Sequence, residues 1–229
     1  MTQNQSTEKK LLDTRVPHPV AIYSSAARIY DTVLEPPLRN MRRAVSALAG
    51  VGDGMRVLDV CCGTGVQARR FADAGAWVTG ADMSPHMLDR ARARECDNLR
   101  FVLAASDQLP FADRNFDLVS LGLALHEIPD ALRLCFVAEM RRVARSGGRI
   151  LIMDYGIPPG RGFIARLYGG AYHLAERMAG GAHYRNYCGW MEQGGLSGFA
   201  ARSGFGGHIT EFYGGAMAVL VAPVSGAMC

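Results

Sequence analysis

Val57-Leu58-Asp59-Val60-Cys61-Cys62-Gly63-Thr64-Gly65 reads as an apolar strand running into a tight glycine turn, and Val66 to Phe71 opens a helix behind it. A strand, a glycine turn and a helix in this order form the unit that binds a nucleotide-like ligand at the carboxyl edge of a parallel sheet. Gly63, Gly65 and Ala68 also satisfy the dinucleotide fingerprint, so the glycines alone leave the ligand open. Asp59 discriminates. A carboxylate closing the strand repels a pyrophosphate, which such turns hold through backbone N–H groups and the helix dipole. The same carboxylate attracts a ligand with a cationic amino-acid end. S-adenosylmethionine carries an α-ammonium, a sulfonium and no phosphate, and on this reading it is the leading ligand.

Outward from this turn the chain alternates strand and helix. Trp77–Asp82 reads as a second strand, and Ser84-Pro85 caps a helix over 84–95, with serine as N-cap and proline at the first helical position. Leu99–Leu103 and Phe116–Leu121 are the third and fourth strands, a helix over 129–145 stops at Gly147-Gly148, and Arg149–Asp154 is a densely apolar fifth strand. Before the turn, apolar positions between Ser24 and Leu48 predict two helical pieces broken at Pro36-Pro37. After the fifth strand the alternation breaks. Residues 156–190 form a helical insertion whose apolar stripe (Phe163, Ile164, Leu167, Tyr168, Ala171, Leu174, Met178) is expected to pack on the domain as a lid. A further helix is predicted from Met191 to Arg202, and two strands meet at Gly214-Gly215. The expected fold is α/β: a Rossmann-like, doubly wound, mostly parallel seven-stranded sheet with a C-terminal antiparallel hairpin.

Composition narrows the function. The 229 residues suit one α/β domain, and 49% hydrophobic with 20% charged residues is the make-up of a soluble globule. A net charge of +4, spread over several predicted helices with no interleaved aromatic block, gives no support for nucleic-acid binding. Residues 1–19 are polar, with Lys9 and Lys10 and no apolar core of a signal, and the expected location is cytoplasmic. The cysteines at 61, 62, 96, 135, 188 and 229 show no paired CxxC spacing, so reduced thiols and no metal site are expected.

Four sites fall on the carboxyl ends of successive strands. Asp59 with Gly63 and Gly65 is the first. Asp82 closes strand two and can accept both ribose hydroxyls. Ser106-Asp107-Gln108, just past strand three, offers a carboxylate and backbone N–H groups to an adenine edge. Leu123 to Glu127, after strand four, lies where an adenosyl ligand meets its substrate.

With these residues in place, segment 57–154 resembles the nucleotide-binding core of class I S-adenosylmethionine-dependent methyltransferases. Val57–Gly65, Ala81-Asp82-Met83-Ser84, Leu109-Pro110-Phe111, Asn115-Phe116-Asp117 and Gly147-Gly148-Arg149 stand at that superfamily's motifs. Within it the likeness runs to the ubiquinone/menaquinone biosynthesis C-methyltransferases and related small-molecule enzymes with a methyltransferase type 11 domain. Tyr30-Asp31, Pro129-Asp130, Arg142-Val143 and Tyr213 to Val219 add to it. The resemblance implies one domain over 20–222, with 1–19 a flexible tail and 223–229 a short C-terminal one. It implies cofactor contacts from Asp59, Cys61, Gly63, Thr64 and Gly65 on the first turn. Asp82 and Met83, then Ser106, Asp107, Gln108 and Leu123, would complete them, with S-adenosylhomocysteine as product. The quinone family has Arg-Asn after strand four where this chain has His126-Glu127, a departure at the substrate edge.

Methyl transfer from a sulfonium is an in-line displacement, so the protein mainly aligns the reactants and excludes water. An acceptor phenol also loses a proton, and His126 is the candidate base. Tyr23, Tyr30, Glu127 and Tyr155 are candidate substrate contacts, and Tyr184 and Tyr187 could share an aromatic pocket. The acceptor is expected to be a small molecule. A second reading of the insertion has it touching a membrane beside Arg161, Arg166 and Arg177 to admit a lipophilic acceptor. Two alternatives stay open: an NAD-dependent oxidoreductase, and a non-catalytic binder of the adenosyl ligand.

Overall fold

The computed structural model describes residues 35–158, 162–179 and 181–225. Strand β1 (Arg56–Val60) leads into the glycine turn, β2 (Trp77–Asp82) and β3 (Leu99–Leu103) have the predicted bounds, and β4 (Phe116–Gly122) runs one residue further than expected. With β5 (Ala144–Tyr155), β6 (His208–Phe212) and β7 (Met217–Pro223), the described residues form one seven-stranded sheet of order β3-β2-β1-β4-β5-β7-β6. The first five strands are parallel, and β7 is inserted antiparallel between β5 and β6. The order reverses at β1, where β2 and β4 leave on opposite sides. That is the switch point at which a doubly wound sheet opens a crevice for a ligand.

Each strand forms for a legible reason. Val57, Leu58 and Val60 in β1, like Ile150–Met153 in β5, are sealed on both faces, as central parallel strands require. Helices α1 (Glu35–Leu48), α2 (Val66–Asp73), α3 (Pro85–Ala91) and α4 (Asp130–Val143) cover the sheet. Of the two helical pieces predicted around Pro36-Pro37, the first lies outside the described residues, and α1, described from Glu35, carries both prolines at the start of its described span. Anything before residue 35, including the 1–19 tail, lies outside the described residues.

Three expectations are corrected. β5 begins at Ala144, not Arg149, because Ala144 pairs with Phe116 before an irregularity lets Arg149 pair with Leu118. The glycines at 147–148 that read as a helix stop lie inside that strand. Residues 163–192 form two helices, α5 (Phe163–Ala179) and α6 (Gly181–Glu192), and α7 starts at Gly195 (Gly195–Arg202), so Met191 belongs to α6.

The third correction concerns the face of α5. Phe163, Leu167, Leu174 and Met178, four apart or seven apart, are all exposed, Phe163 and Met178 to 80%. The inward face is Tyr168, Tyr172 and Glu176, of which the last two are buried. Of the apolar stripe expected to pack on the domain, Phe163, Leu167, Ala171, Leu174 and Met178 point outward while Tyr168 packs inward beside Tyr172 and Glu176, and the Ile164 side chain lies outside the described residues. α6 is integral to the fold: Trp190 is fully buried, donates from Nε1 to the Tyr155 carbonyl at 3.0 Å and lies under the Arg133 guanidinium.

Candidate functional site

The first half of the site is built on the β1 turn. Gly65 has φ +80°, and a Cβ there would meet the Phe101 ring at 2.5 Å, so only glycine fits between β1 and α2. Asp59 is buried. Its Oδ1 accepts from the Ser120 hydroxyl at 2.7 Å, and Oδ2 is buried with no hydrogen-bond partner. Burial above all lifts its pKa to about 6, against the stabilising hydroxyl of Ser120 and charge of Arg42. A buried carboxylate oxygen left without a donor fits a cationic ligand group.

Asp82, at the end of β2, ties the turn to its neighbour. Oδ2 accepts from the Gly63 N–H at 2.8 Å and Oδ1 from the Ser84 N–H at 2.9 Å. Burial raises its pKa while these N–H donors oppose the rise. Each oxygen keeps a second lone pair, so two ribose hydroxyls can still be accepted. Cys61 (φ +53°) brings its Sγ within 3.2 Å of the Ser106 hydroxyl, linking the turn to the loop after β3. Burial pushes the Cys61 thiol up to about 12 and the Cys62 thiol well above its ordinary value, so both stay protonated.

Three separate hydrogen-bonded pairs, Asp59–Ser120, Cys61–Ser106 and Gly63–Asp82, thus lie along the sheet edge. Thr64 and Gly65 are buried within the turn, and Met83 and Asp107 are half-buried on flanking loops, with Gln108 exposed. Gln67, which the sequence reading passed over, has both amide atoms buried without partners on the first turn of α2.

The second half lies past β4. Leu123 (φ +56°) donates its N–H to the Met153 carbonyl at 2.7 Å and turns the chain into a short 3-10 segment, Leu125–Glu127. His126 on that segment is 2% exposed. Its Nδ1 lies 2.7 Å from Asp154 Oδ1, and its backbone N–H donates to Asp154 Oδ2 at 3.3 Å. With Nδ1–H committed to the carboxylate, a neutral His126 carries its lone pair on Nε2. That Nε2 is buried and has no hydrogen-bond partner. Burial works against the imidazolium, but the Asp154 carboxylate, with Glu176 beyond it, leaves the His126 pKa raised.

Aromatic rings close around this imidazole, Tyr155 at 4.6 Å, His183 at 5.9 Å and Tyr187 at 6.3 Å between centroids. The buried Tyr172 hydroxyl has no partner either, and its ring packs 5.4 Å from that of Tyr155. Glu176 accepts from the Tyr155 hydroxyl at 2.6 Å and pairs with His183. Burial opposes its charge, yet these partners and His126 hold its carboxyl below the usual range. Burial raises Glu127 well above the usual range, and Glu176 and Asp154 reinforce the rise.

Of the sequence-derived substrate contacts, His126, Glu127 and Tyr155 converge here, while Tyr23 and Tyr30 lie outside the described residues. Tyr187 joins the cluster, and Tyr184 stacks on it from the rim. Asp154, Glu176, His183 and Tyr172 were missed. Asp154 had a signal: an acid closing an apolar strand, as Asp59 and Asp82 do. Arg133 was missed too. Its buried guanidinium donates to the Leu125, Ile128 and Asn186 carbonyls and to Asp130, which clamps the His126 segment to α6.

Known proteins share this architecture. Residues 57–148 match the family model described as a methyltransferase domain. The demethylmenaquinone methyltransferase of Mycobacterium sp. (strain KMS) is 39% identical over 157 residues, 66% of this chain and 66% of the relative. That of Beutenbergia cavernae is 37% identical over 158 residues, covering 67% and 64% of the two chains. The chain thus matches just under two thirds of the length of these relatives. The crystal structure of a SAM dependent methyltransferase from Aquifex aeolicus superposes with a TM-score of 0.58 at 19% identity, over 80% of this chain and 89% of that one. Residues 57–148 are thus a methyltransferase domain, which speaks against the nicotinamide alternative.

Proposed function

We propose that this chain transfers the methyl group of S-adenosylmethionine to a small, lipophilic acceptor of the quinol or phenol type. The observation that carries the reading is the buried His126 imidazole, oriented by Asp154 and presenting an unpartnered Nε2 among tyrosines at the edge that holds the glycine turn. On the cofactor side, Asp59 Oδ2 receives the α-ammonium and Asp82 the ribose hydroxyls. Ser106, Asp107 and Gln108 face the adenine, and the backbone of 61–65 lines the amino-acid end, with Met83 and Leu123 flanking.

S-adenosylmethionine supplies an electrophilic methyl on a neutral leaving group. The acceptor's oxygen or ring carbon forms the new bond to that methyl as the carbon–sulfur bond breaks, and S-adenosylhomocysteine leaves. The chain's own part is to align the two, to keep water out with α5 and α6, and to manage the acceptor's hydroxyl proton. Nε2 is the basic point of the site, and the acceptor's hydroxyl proton moves there.

The outward apolar face of α5 supports a lipophilic acceptor met at a membrane surface, with exposed Arg177 beside it. Among the described residues no helix is long and apolar enough to cross a membrane. The names of the relatives favour a quinol. The test is incubation with S-adenosylmethionine and a panel of demethylated quinols, phenols, amines and phospholipids, read by mass spectrometry. A methylated quinol or phenol is expected. Methylation confined to amines or phospholipids overturns the acceptor class.

A further inference from the structure

Side chains able to ligate a metal converge past the end of β4 from three separate elements. His126 and Glu127 come from the 3-10 segment, Glu176 from α5 and His183 from α6. One donor atom each of His126, Glu127 and His183 lies within 4.8 Å of the other two. His126 Nε2 is 3.6 Å from a Glu127 oxygen and 3.6 Å from Glu176 Oε1. These gaps exceed a hydrogen bond. They approach the roughly 3.3 Å between neighbouring donors of a tetrahedral shell with bonds of about 2.0–2.1 Å.

The decisive observation is independent of the clustering. His126 is 2% exposed and its Nε2, the nitrogen that Asp154 leaves free, is aimed into the cluster with no hydrogen-bond partner. A lone pair left unmatched inside a protein is costly, and a cation removes that cost. Asp154, Glu127 and Glu176 each bring a carboxyl oxygen within 3.6 Å of the His126 ring nitrogens. The nearby Arg133 guanidinium is turned to backbone carbonyls, Asp130 and Gln193 instead.

We infer that His126, Glu127 and His183 bind a divalent transition-metal ion, with zinc the ion whose preferences the set matches. Two imidazoles and one carboxylate are the ligand set of open, three-residue zinc sites rather than closed structural ones, and leave a coordination position free. Asp154 behind His126 is the outer carboxylate that fixes a ligating imidazole and raises its basicity. Glu176, bridging His183 and the Tyr155 hydroxyl, lines the remaining side. The sequence gives no hint of this because the ligands follow no local spacing; only the packing of α6 against the 3-10 segment assembles them.

Ion binding stands apart from methyl transfer. The use of the free position, to hold the acceptor's oxygen, rests on the function proposed above. The test strips the full chain with a chelator and titrates it with Zn²⁺, and with Co²⁺ as a spectroscopic stand-in, while S-adenosylhomocysteine affinity is measured on the same samples. One ion per chain is expected, with a visible Co²⁺ ligand-field band. His183→Gln and Glu127→Gln are each expected to weaken ion affinity about tenfold or more, with S-adenosylhomocysteine binding retained. Absence of stoichiometric Zn²⁺ and of the Co²⁺ band in the wild-type chain overturns the site whatever the variants do. So does wild-type ion affinity in both variants. A chain that binds the ion but not S-adenosylhomocysteine keeps the metal site and loses the methyltransferase reading.

Discussion

His126 and Asp154 meet at 2.7 Å, Nδ1 to Oδ1, with both side chains sealed from solvent. The carboxylate fixes the imidazole's tautomer and leaves Nε2 as the nitrogen free to act. Asp154→Asn keeps the shape and removes that control. A fall in kcat of about 100-fold or more is expected, with S-adenosylhomocysteine affinity unchanged by calorimetry. Full turnover in the variant removes Asp154 from any positioning role.

Asp59, proposed above to receive the α-ammonium, is buried at the expense of stability. Its ordinary value is 3.8, and burial lifts it to about 6 in the folded chain. Folding therefore takes up a proton between these limits. Stability from this residue is greatest at low pH, falls as pH rises through the window, and above it the ionised carboxylate costs about 3 kcal/mol. Asp59→Asn should raise the Tm of the ligand-free chain near neutral pH and change it little near pH 4, while weakening S-adenosylhomocysteine binding. In the wild type that affinity should drop as pH falls below about 6. A pH-independent affinity would show that the α-ammonium is held elsewhere.

Gly65→Ala brings two costs, a left-handed φ of +80° and a Cβ 2.5 Å from the Phe101 ring. A loss of about 2 kcal/mol or more is expected in denaturant unfolding. Adding Phe101→Leu should recover the steric part and leave the backbone part, a coupling a double-mutant cycle reads directly. Purely additive effects would mean that ring and turn do not meet.

Arg133 holds the His126 segment through its fork. Arg133→Lys keeps the charge and loses the geometry that serves the Leu125, Ile128 and Asn186 carbonyls together. Destabilisation of about 2–3 kcal/mol is expected from buried acceptors left unmatched. Turnover should fall more than cofactor affinity, since the segment carries His126 and not the glycine turn. Equal losses in both would place Arg133 in the general core.

The cofactor half of the site was legible in the sequence because its logic is local. Asp59 and Gly63 belong to one strand–turn unit, and Asp82 closes a strand whose end is marked by the Ser84-Pro85 helix cap. The hairpin, too, announced itself at Gly214-Gly215, where the 3-10 segment Tyr213–Gly215 joins β6 to β7. The acceptor half was legible only at His126, Glu127 and the tyrosines. Asp154 reaches His126 across 28 residues, and Glu176 and His183 arrive on helices whose orientation periodicity could not settle. On α5 the apolar stripe was seen, but of its members only Tyr168 packs as expected, while Phe163, Leu167, Ala171, Leu174 and Met178 face outward. The buried face is decided by Glu176 and Tyr172, whose polar groups belong to the cluster.

The most direct test is transfer of label from methyl-labelled S-adenosylmethionine to a demethylated quinol, run with the wild type and with His126→Asn. Both proteins should bind S-adenosylhomocysteine with equal affinity, and the label should appear in the quinol with the wild type and be lost in the variant. No transfer by a wild-type chain that binds the cofactor, or undiminished transfer by His126→Asn, would contradict the account.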